Sequence, residues 1–311
     1  MINIRVLGTP QITQDDHPLH ITRVAVRSLL FYLVCNPKGV TRSNLTNTLW
    51  PESDQASRRL TEVLSKLRAE LILEDAVISE RGVIRLNRKL VWAEIWEFEQ
   101  LFERSQRAAI QTPIEVTLPE TTVHDLRAAL RLWRSYTLLD GAELIDSPEL
   151  DQFFTQERAR LENNLILVQR RLSQHAYTSS DIAEAIRLGE ETLKIDPLHP
   201  ELNYFLIQAL YRAGRTRTAM EYYERMRDYY DPQDPTLQFF EPLLEKIRSK
   251  IPADELQNPA PEFPWLDWKV SNAAFVGREE IMARLQRALH RGCAVALVGE
   301  SGVGKTRLVQ E

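Results

Sequence analysis

Two stretches of the 311-residue chain carry residue types whose spacing could do chemistry. Gly299-Glu300-Ser301-Gly302-Val303-Gly304-Lys305-Thr306 matches the pattern G-x-x-x-x-G-K-[ST]. In that pattern Gly299, Gly302 and Gly304 let backbone N–H groups surround a phosphate, Lys305 reaches the β- and γ-phosphates, and the Thr306 hydroxyl ligates Mg²⁺. The apolar run Ala294–Val298 before it reads as a buried strand, and a helix should follow. The second stretch is Asp54–Leu71. Ala56, Leu60, Val63, Leu64, Leu67 and Leu71 form one apolar stripe at the 3.6-residue period, with Asp54 as the expected N-cap. The opposite face carries Gln55, Arg58, Glu62, Ser65 and Ala69, flanked by Arg59, Thr61, Lys66 and Arg68, a basic, donor-rich surface. Such a face can be nothing more than a solvated helix surface. It can also sit in a DNA major groove, with arginines on phosphates or guanine edges.

The elements that must position the second stretch decide between these readings. A short strand is expected over Ile2–Leu7, ended by Gly8-Thr9-Pro10, and a second over Gln11–Thr13. A helix over Val24–Cys35 turns Val26, Leu29, Leu30 and Leu33 to one side and ends at Asn36-Pro37-Lys38-Gly39. Thr41 reads as the N-cap of a short helix over Ser43–Leu49, and Trp50-Pro51-Glu52 as the loop into the basic helix. Val77–Ser79 and Val83–Leu86 flank a hairpin tip, Glu80-Arg81-Gly82. The order is strand, three helices, hairpin: a winged helix-turn-helix whose third helix enters the major groove, with Arg42 and Arg81 placed to reach the backbone beside it.

Composition agrees with a soluble globular protein. No apolar run approaches the roughly 20 residues that span a bilayer, and no secretory signal is present, so the expected location is the cytoplasm. Cys35 and Cys293 are too few and too far apart for a disulfide framework or a metal site. The net charge of −5 argues against nucleic acid until it is divided along the chain. Residues 1–90 hold 13 Lys/Arg against 9 Asp/Glu, and the remainder holds 26 against 35. A small anion-binding domain attached to acidic partner-binding domains has that asymmetry. An enzyme is disfavoured. His17, His20, His124, His175, His199 and His290 are scattered, and no nucleophile triad, paired carboxylates or metal-ligand cluster is apparent.

After residue 90 the pattern becomes helical. Helices are expected from Glu94 to about Arg107, over Val123–Tyr136, Glu149–Tyr177 and Pro235–Lys250, with a polar loop at 111–122. Ala185 and Ala219, Gly189 and Tyr223, and Thr192 and Met226 are each 34 residues apart, the period of two-helix tetratricopeptide units. Residues 251–270 read as a Pro-rich linker.

RSLLFYLVCNP, VTRSNLTNTLWPE and RRLTEVLSKLRAEL resemble the OmpR-type winged helix of SARP-type bacterial transcriptional activators, over residues 1–90. LRLWRSYTLLDG, QERARLENNL and the two repeats resemble the bacterial transcriptional activator domain that follows it, over 91–250. Phe275-Val276-Gly277-Arg278-Glu279 with the glycine-rich run resembles the start of a STAND-type AAA+ ATPase, over 271–311. The resemblance implies a mostly α chain: a winged helix, a TPR-like helical domain, then the start of an α/β P-loop NTPase. It implies that the Asp54–Leu71 helix reads promoter DNA, that the loop around Pro51 meets RNA polymerase, and that the protein acts as a homodimer or higher oligomer. It also implies ATP and Mg²⁺ for a longer parent, whereas the chain ending at Glu311, short of any Walker B acid, is expected to hold neither. Glu62, in the middle of the basic face, departs from a purely cationic surface; it could accept from a cytosine N4 amine or repel phosphate. The runner-up is a nucleotide-gated signalling scaffold whose winged helix binds protein.

Overall fold

The N-terminal residues build a small sheet from alternating burial. β1 (Ile2–Arg5) pairs antiparallel with β2 (Gln11–Gln14) in the register Ile2↔Gln14 and Ile4↔Ile12. Ile2 and Ile4 are fully buried. Asp15 and Asp16 both take positive φ, 48° and 65°, and turn the chain into the two-residue β3 (His17–Pro18). The computed structural model describes residues 1–111, 117–135, 137–230 and 234–252. The fourth strand of this sheet comes from far along the chain. β4 (Val40–Thr41), β5 (Val77–Glu80) and β6 (Val83–Leu86) intervene before β7 (Val91–Ala93) joins β1 in parallel, giving the order β3-β2-β1-β7.

The expected strand Ile2–Leu7 stops pairing at Arg5 for a physical reason. The next backbone groups are taken by a distant loop: Arg134 N–H donates to Leu7 O (3.0 Å), Leu139 N–H to Val6 O (2.9 Å) and Asp140 N–H to Gly8 O (3.1 Å). Gly8, at φ 120°, lies so close to this loop that a Cβ would stand 3.0 Å from the Ser135 nitrogen.

The three helices follow as expected: α1 (Val24–Cys35), α2 (Arg42–Leu49) and α3 (Ala56–Glu70). Thr41 caps α2 by accepting from Asn44 N–H at 3.2 Å. The cap of α3 differs from expectation. Asp54 lies in a turn, Ala56 N–H donates to Ser53 O, and the N-cap is Gln55 with no side-chain bond. Helix α1 is buried nearly all round, Phe31, Tyr32 and Val34 included. The sequence shows one apolar side; the other is covered by the helical region, where Tyr32 meets Phe153 at 4.5 Å and the Trp96 indole donates to Val34 O at 2.7 Å. The hairpin β5–β6 pairs with β4 through β6, and its tip, Arg81 and Gly82, has both residues at positive φ.

The helical region runs α4 (Glu94–Gln111), α5 (Glu120–Arg131), α6 (Pro148–Thr178), α7 (Ile182–Thr192), α8 (Pro200–Arg212), α9 (Thr216–Arg227), α10 (Pro235–Gln238) and α11 (Glu241–Arg248). Ser147, Asp181, His199 and Asp234 each cap the helix that follows. In the repeat, Ala219 is fully buried and Gly189 packs on Leu206, which are the small residues where helices cross. Several helix bounds differ from expectation. Helices α4 and α5 take both ends of the expected 111–122 loop. Helix α5 stops at Arg131, because the N–H of Arg134 goes to Leu7 O, just past β1, instead of continuing the ladder. The last helix is broken at Phe239–Phe240, where Pro242 has no N–H to carry it through and the chain restarts as α11. One compact unit spans Met1–Pro259, and the 253–311 segment, with the glycine-rich run, lies outside the described residues.

Candidate nucleic-acid interface

Burial along α3 separates its two faces cleanly. Ala56, Leu60, Val63, Leu64 and Leu67 are buried, and Ser57, Arg58, Arg59, Thr61, Glu62, Ser65, Lys66 and Ala69 are exposed. The apolar stripe is therefore fully used by the core, and the donor-rich face is left to solvent. It is a polar helix surface with basic residues on both flanks.

The expected contact residues are held in different ways. Arg58 Nε donates to Glu62 Oε1 at 3.1 Å, one turn apart on the open face. Arg42, the first residue of α2, donates through Nη2 to Thr61 Oγ1 at 2.8 Å, and Thr61 in turn donates to Ser57 O at 3.0 Å. This bond links α2 to α3 on the solvent side. Arg59, Ser65 and Lys66 are exposed beside them. Arg68 differs from the rest: it is half-buried and its Nη2 donates to Ser79 Oγ (3.0 Å) and Val77 O (3.4 Å) on β5. It ties the hairpin to α3. Arg81 stands exposed at the hairpin tip, and Arg85 behind it pairs with Glu80 at 3.3 Å. Sequence reading missed Ser57 and Arg85. Both follow from period alone, Ser57 as the helical neighbour of Thr61 and Arg85 as the strand neighbour of Val83. Gly299, Gly302, Gly304, Lys305 and Thr306 lie outside the described residues.

Beside the start of α3 the Trp50–Gln55 loop faces the start of α6 across an open groove of about 720 Å³. Glu52, Asp54, Asp146 and Glu149 line it together with Arg59. Ser147 donates to Thr48 O at 2.6 Å at its base, and Trp50 packs against the core beneath. The helical region thus contributes one wall of a surface that begins on the helix-turn-helix.

A single buried carboxylate holds the same two regions together on the other side. Glu94, 1% exposed, accepts from Leu7 N–H at 2.6 Å and from Arg134 Nη1 at 2.5 Å, and Arg134 Nη2 also donates to Thr9 O at 3.1 Å. Burial pushes the Glu94 carboxyl above its ordinary pKa, against the opposing pull of Arg134 and the Leu7 N–H. Among the described residues no cluster of His, Cys, Asp and Glu could hold a metal ion, and no helix is long and apolar enough to cross a membrane.

The chain is a winged helix with its donor-rich third helix open to solvent, continuous with a helical-repeat region. Residues 95–233 match the family described as the bacterial transcriptional activator domain. A solved structure, that of Mycobacterium tuberculosis EmbR in complex with a low-affinity phosphopeptide, has the same fold with a TM-score of 0.61 and 22% identity. The likeness covers 80% of this chain and 65% of the EmbR chain. No curated protein matches the chain.

Proposed function

We propose that the chain is a DNA-binding transcriptional activator that places α3 in the major groove of promoter duplex and the β5–β6 tip on the neighbouring backbone. The observation that carries this reading is the division of α3: every apolar residue of its stripe is in the core, while Arg58, Arg59, Thr61, Glu62, Ser65 and Lys66 are exposed together. Arg42 at the start of α2 and Arg81 at the hairpin tip extend the donor surface on either side. The matched family supports regulation of transcription; DNA is the partner that this donor surface fits. The groove between the Trp50–Gln55 loop and α6 supports the activator part, because it leaves an acidic surface beside the DNA for RNA polymerase. The helical repeats would then serve assembly of a homodimer or higher oligomer on the promoter.

The test is selection of random duplex by the full chain, followed by titration over a salt series. A selected sequence, with affinity that falls steeply with salt, is expected. Arg59→Ala should weaken all duplexes alike and lower the salt slope by about 1. Failure to enrich any sequence, with affinity no different from that of an Arg58→Ala, Arg59→Ala double variant, would refute the reading in favour of the protein-binding scaffold. Nucleotide binding through Lys305, with Thr306 on Mg²⁺, is proposed for a longer parent of this chain. Lys305→Ala in that parent should abolish ATP binding and leave duplex binding without nucleotide unchanged.

A further inference from the structure

We infer that Glu62 is a positioning residue that commits Arg58 to a guanine, and that it is the reason a carboxylate stands in the middle of a cationic face. The inference rests on the DNA-binding reading above. Arg58 Nε is held by Glu62 Oε1 at 3.1 Å, and both side chains stay open to solvent, 75% and 52% exposed. An arginine carries donors on two edges, the Nε–Nη2 edge and the Nη1–Nη2 end. With Nε occupied by the carboxylate, the end fork is the one presented outward. That fork matches the two acceptors N7 and O6 of guanine, whereas adenine offers an acceptor and a donor there. The carboxylate also makes this arginine a poor phosphate clamp, because a phosphate drawn to Arg58 would approach Glu62 as well. A base edge carries no net charge and meets no such penalty.

The surrounding geometry supports a fixed reader over a loose surface pair. Thr61, next to Glu62, is bonded both to Arg42 of α2 and to the backbone of Ser57 one turn back. Arg68, one and a half turns further on, is bonded to the hairpin. The helix that carries the pair is thus pinned on its flanks, and Arg58 is the long cation on this face whose Nε is oriented by a neighbour one turn away. Without Glu62, Arg58 would be one more mobile cation able to slide between base edge and backbone.

The experiment compares sequence preference among the full-length wild type, Glu62→Ala, Glu62→Gln and Arg58→Ala by duplex selection at fixed salt, with circular dichroism melts of each. Arg58→Ala is expected to lose a guanine preference at one position of the site, about ten-fold or more against the other bases. Glu62→Ala should lose preference at that same position while binding unrelated duplex as well as or better than wild type. Glu62→Gln, whose amide oxygen can still accept from Nε, should retain part of it. Wild-type preference in Glu62→Ala, or a loss spread evenly over all positions, overturns the positioning role and leaves the DNA-binding reading standing. If the wild type itself selects no sequence, both fall together.

Discussion

Removing the Glu94 side chain should loosen the winged helix from the helical region, and the cost can be built from its partners. In Glu94→Ala the Leu7 N–H is left inside a fully buried position with no acceptor, at about 1–3 kcal/mol. Arg134 also loses its carboxylate. Its side chain is 26% exposed and keeps Thr9 O, so hydration limits that part to about 1 kcal/mol. The total, about 2–4 kcal/mol, is a large fraction of the stability of an ordinary domain. In a unit of this size it lowers the thermal midpoint by roughly 4–16 °C. Glu94→Gln keeps an acceptor for Leu7 and should cost less. The pH dependence has a definite sign. Because burial raises the Glu94 pKa in the folded chain, its contribution is fully present below the unfolded value and is lost as pH rises through the folded value. The gap between wild type and Glu94→Gln should therefore be widest in acid and narrow towards neutrality. Differential scanning calorimetry of the three proteins between pH 4 and pH 7.5 measures both effects. An unshifted midpoint in Glu94→Ala would refute the clamp, and a gap that widens with pH would refute the dominance of burial over the Arg134 pair.

The other expectations are smaller in scope. Ile72, 72% exposed and at φ 56° just past α3, bears a left-handed conformation that a β-branched residue resists, so Ile72→Gly should stabilise by about 0.5–1 kcal/mol in urea titration; a destabilised variant would mean that Ile72 is covered by something in solution. Ala219, fully buried where α9 crosses its neighbours, should not tolerate Phe, and Ala219→Phe should lower the thermal midpoint by the equivalent of about 1–3 kcal/mol. His199 caps α8 through Nδ1, and burial with the nearby Arg170 pushes its pKa down to about 4. Its contribution is complete above the unfolded value near 6.5 and is lost as pH falls towards 4, by roughly 3 kcal/mol, and His199→Asn should flatten that limb of the stability curve.

Local chemistry was legible in the sequence, and distant pairing was not. Helix α1, the Thr41 cap and the hairpin around Arg81-Gly82 each follow from a few adjacent residues, and each formed as expected. The buried stripe and open face of α3 follow from period alone. The Asp54 cap failed because Trp50–Gln55 turns twice before the helix begins, and the turn takes the residue that local propensity would have placed at the cap. The strand β7 is three residues long and pairs with a strand almost ninety positions away, which leaves no local signature. Arg68 reads as one more cation on a basic helix. Its bonds to Ser79 and Val77 depend on where the hairpin folds back, which spacing along the chain does not give.

The parallel pairing of β1 with β7 sets a timetable for the protein's birth. The first strand leaves the ribosome with one neighbour, β2, available at once, while its other edge waits for Val91–Ala93. The groups of Val6, Leu7 and Gly8 wait longer still, for the loop at 134–140. At a synthesis rate of about 5–20 residues per second that interval is roughly ten seconds. Throughout it, an apolar strand with an unpaired edge is exposed to every other nascent chain of the same polysome. A message cut after residue 90 would make that exposure permanent, so the winged helix depends for its own solubility on a stretch of chain outside it.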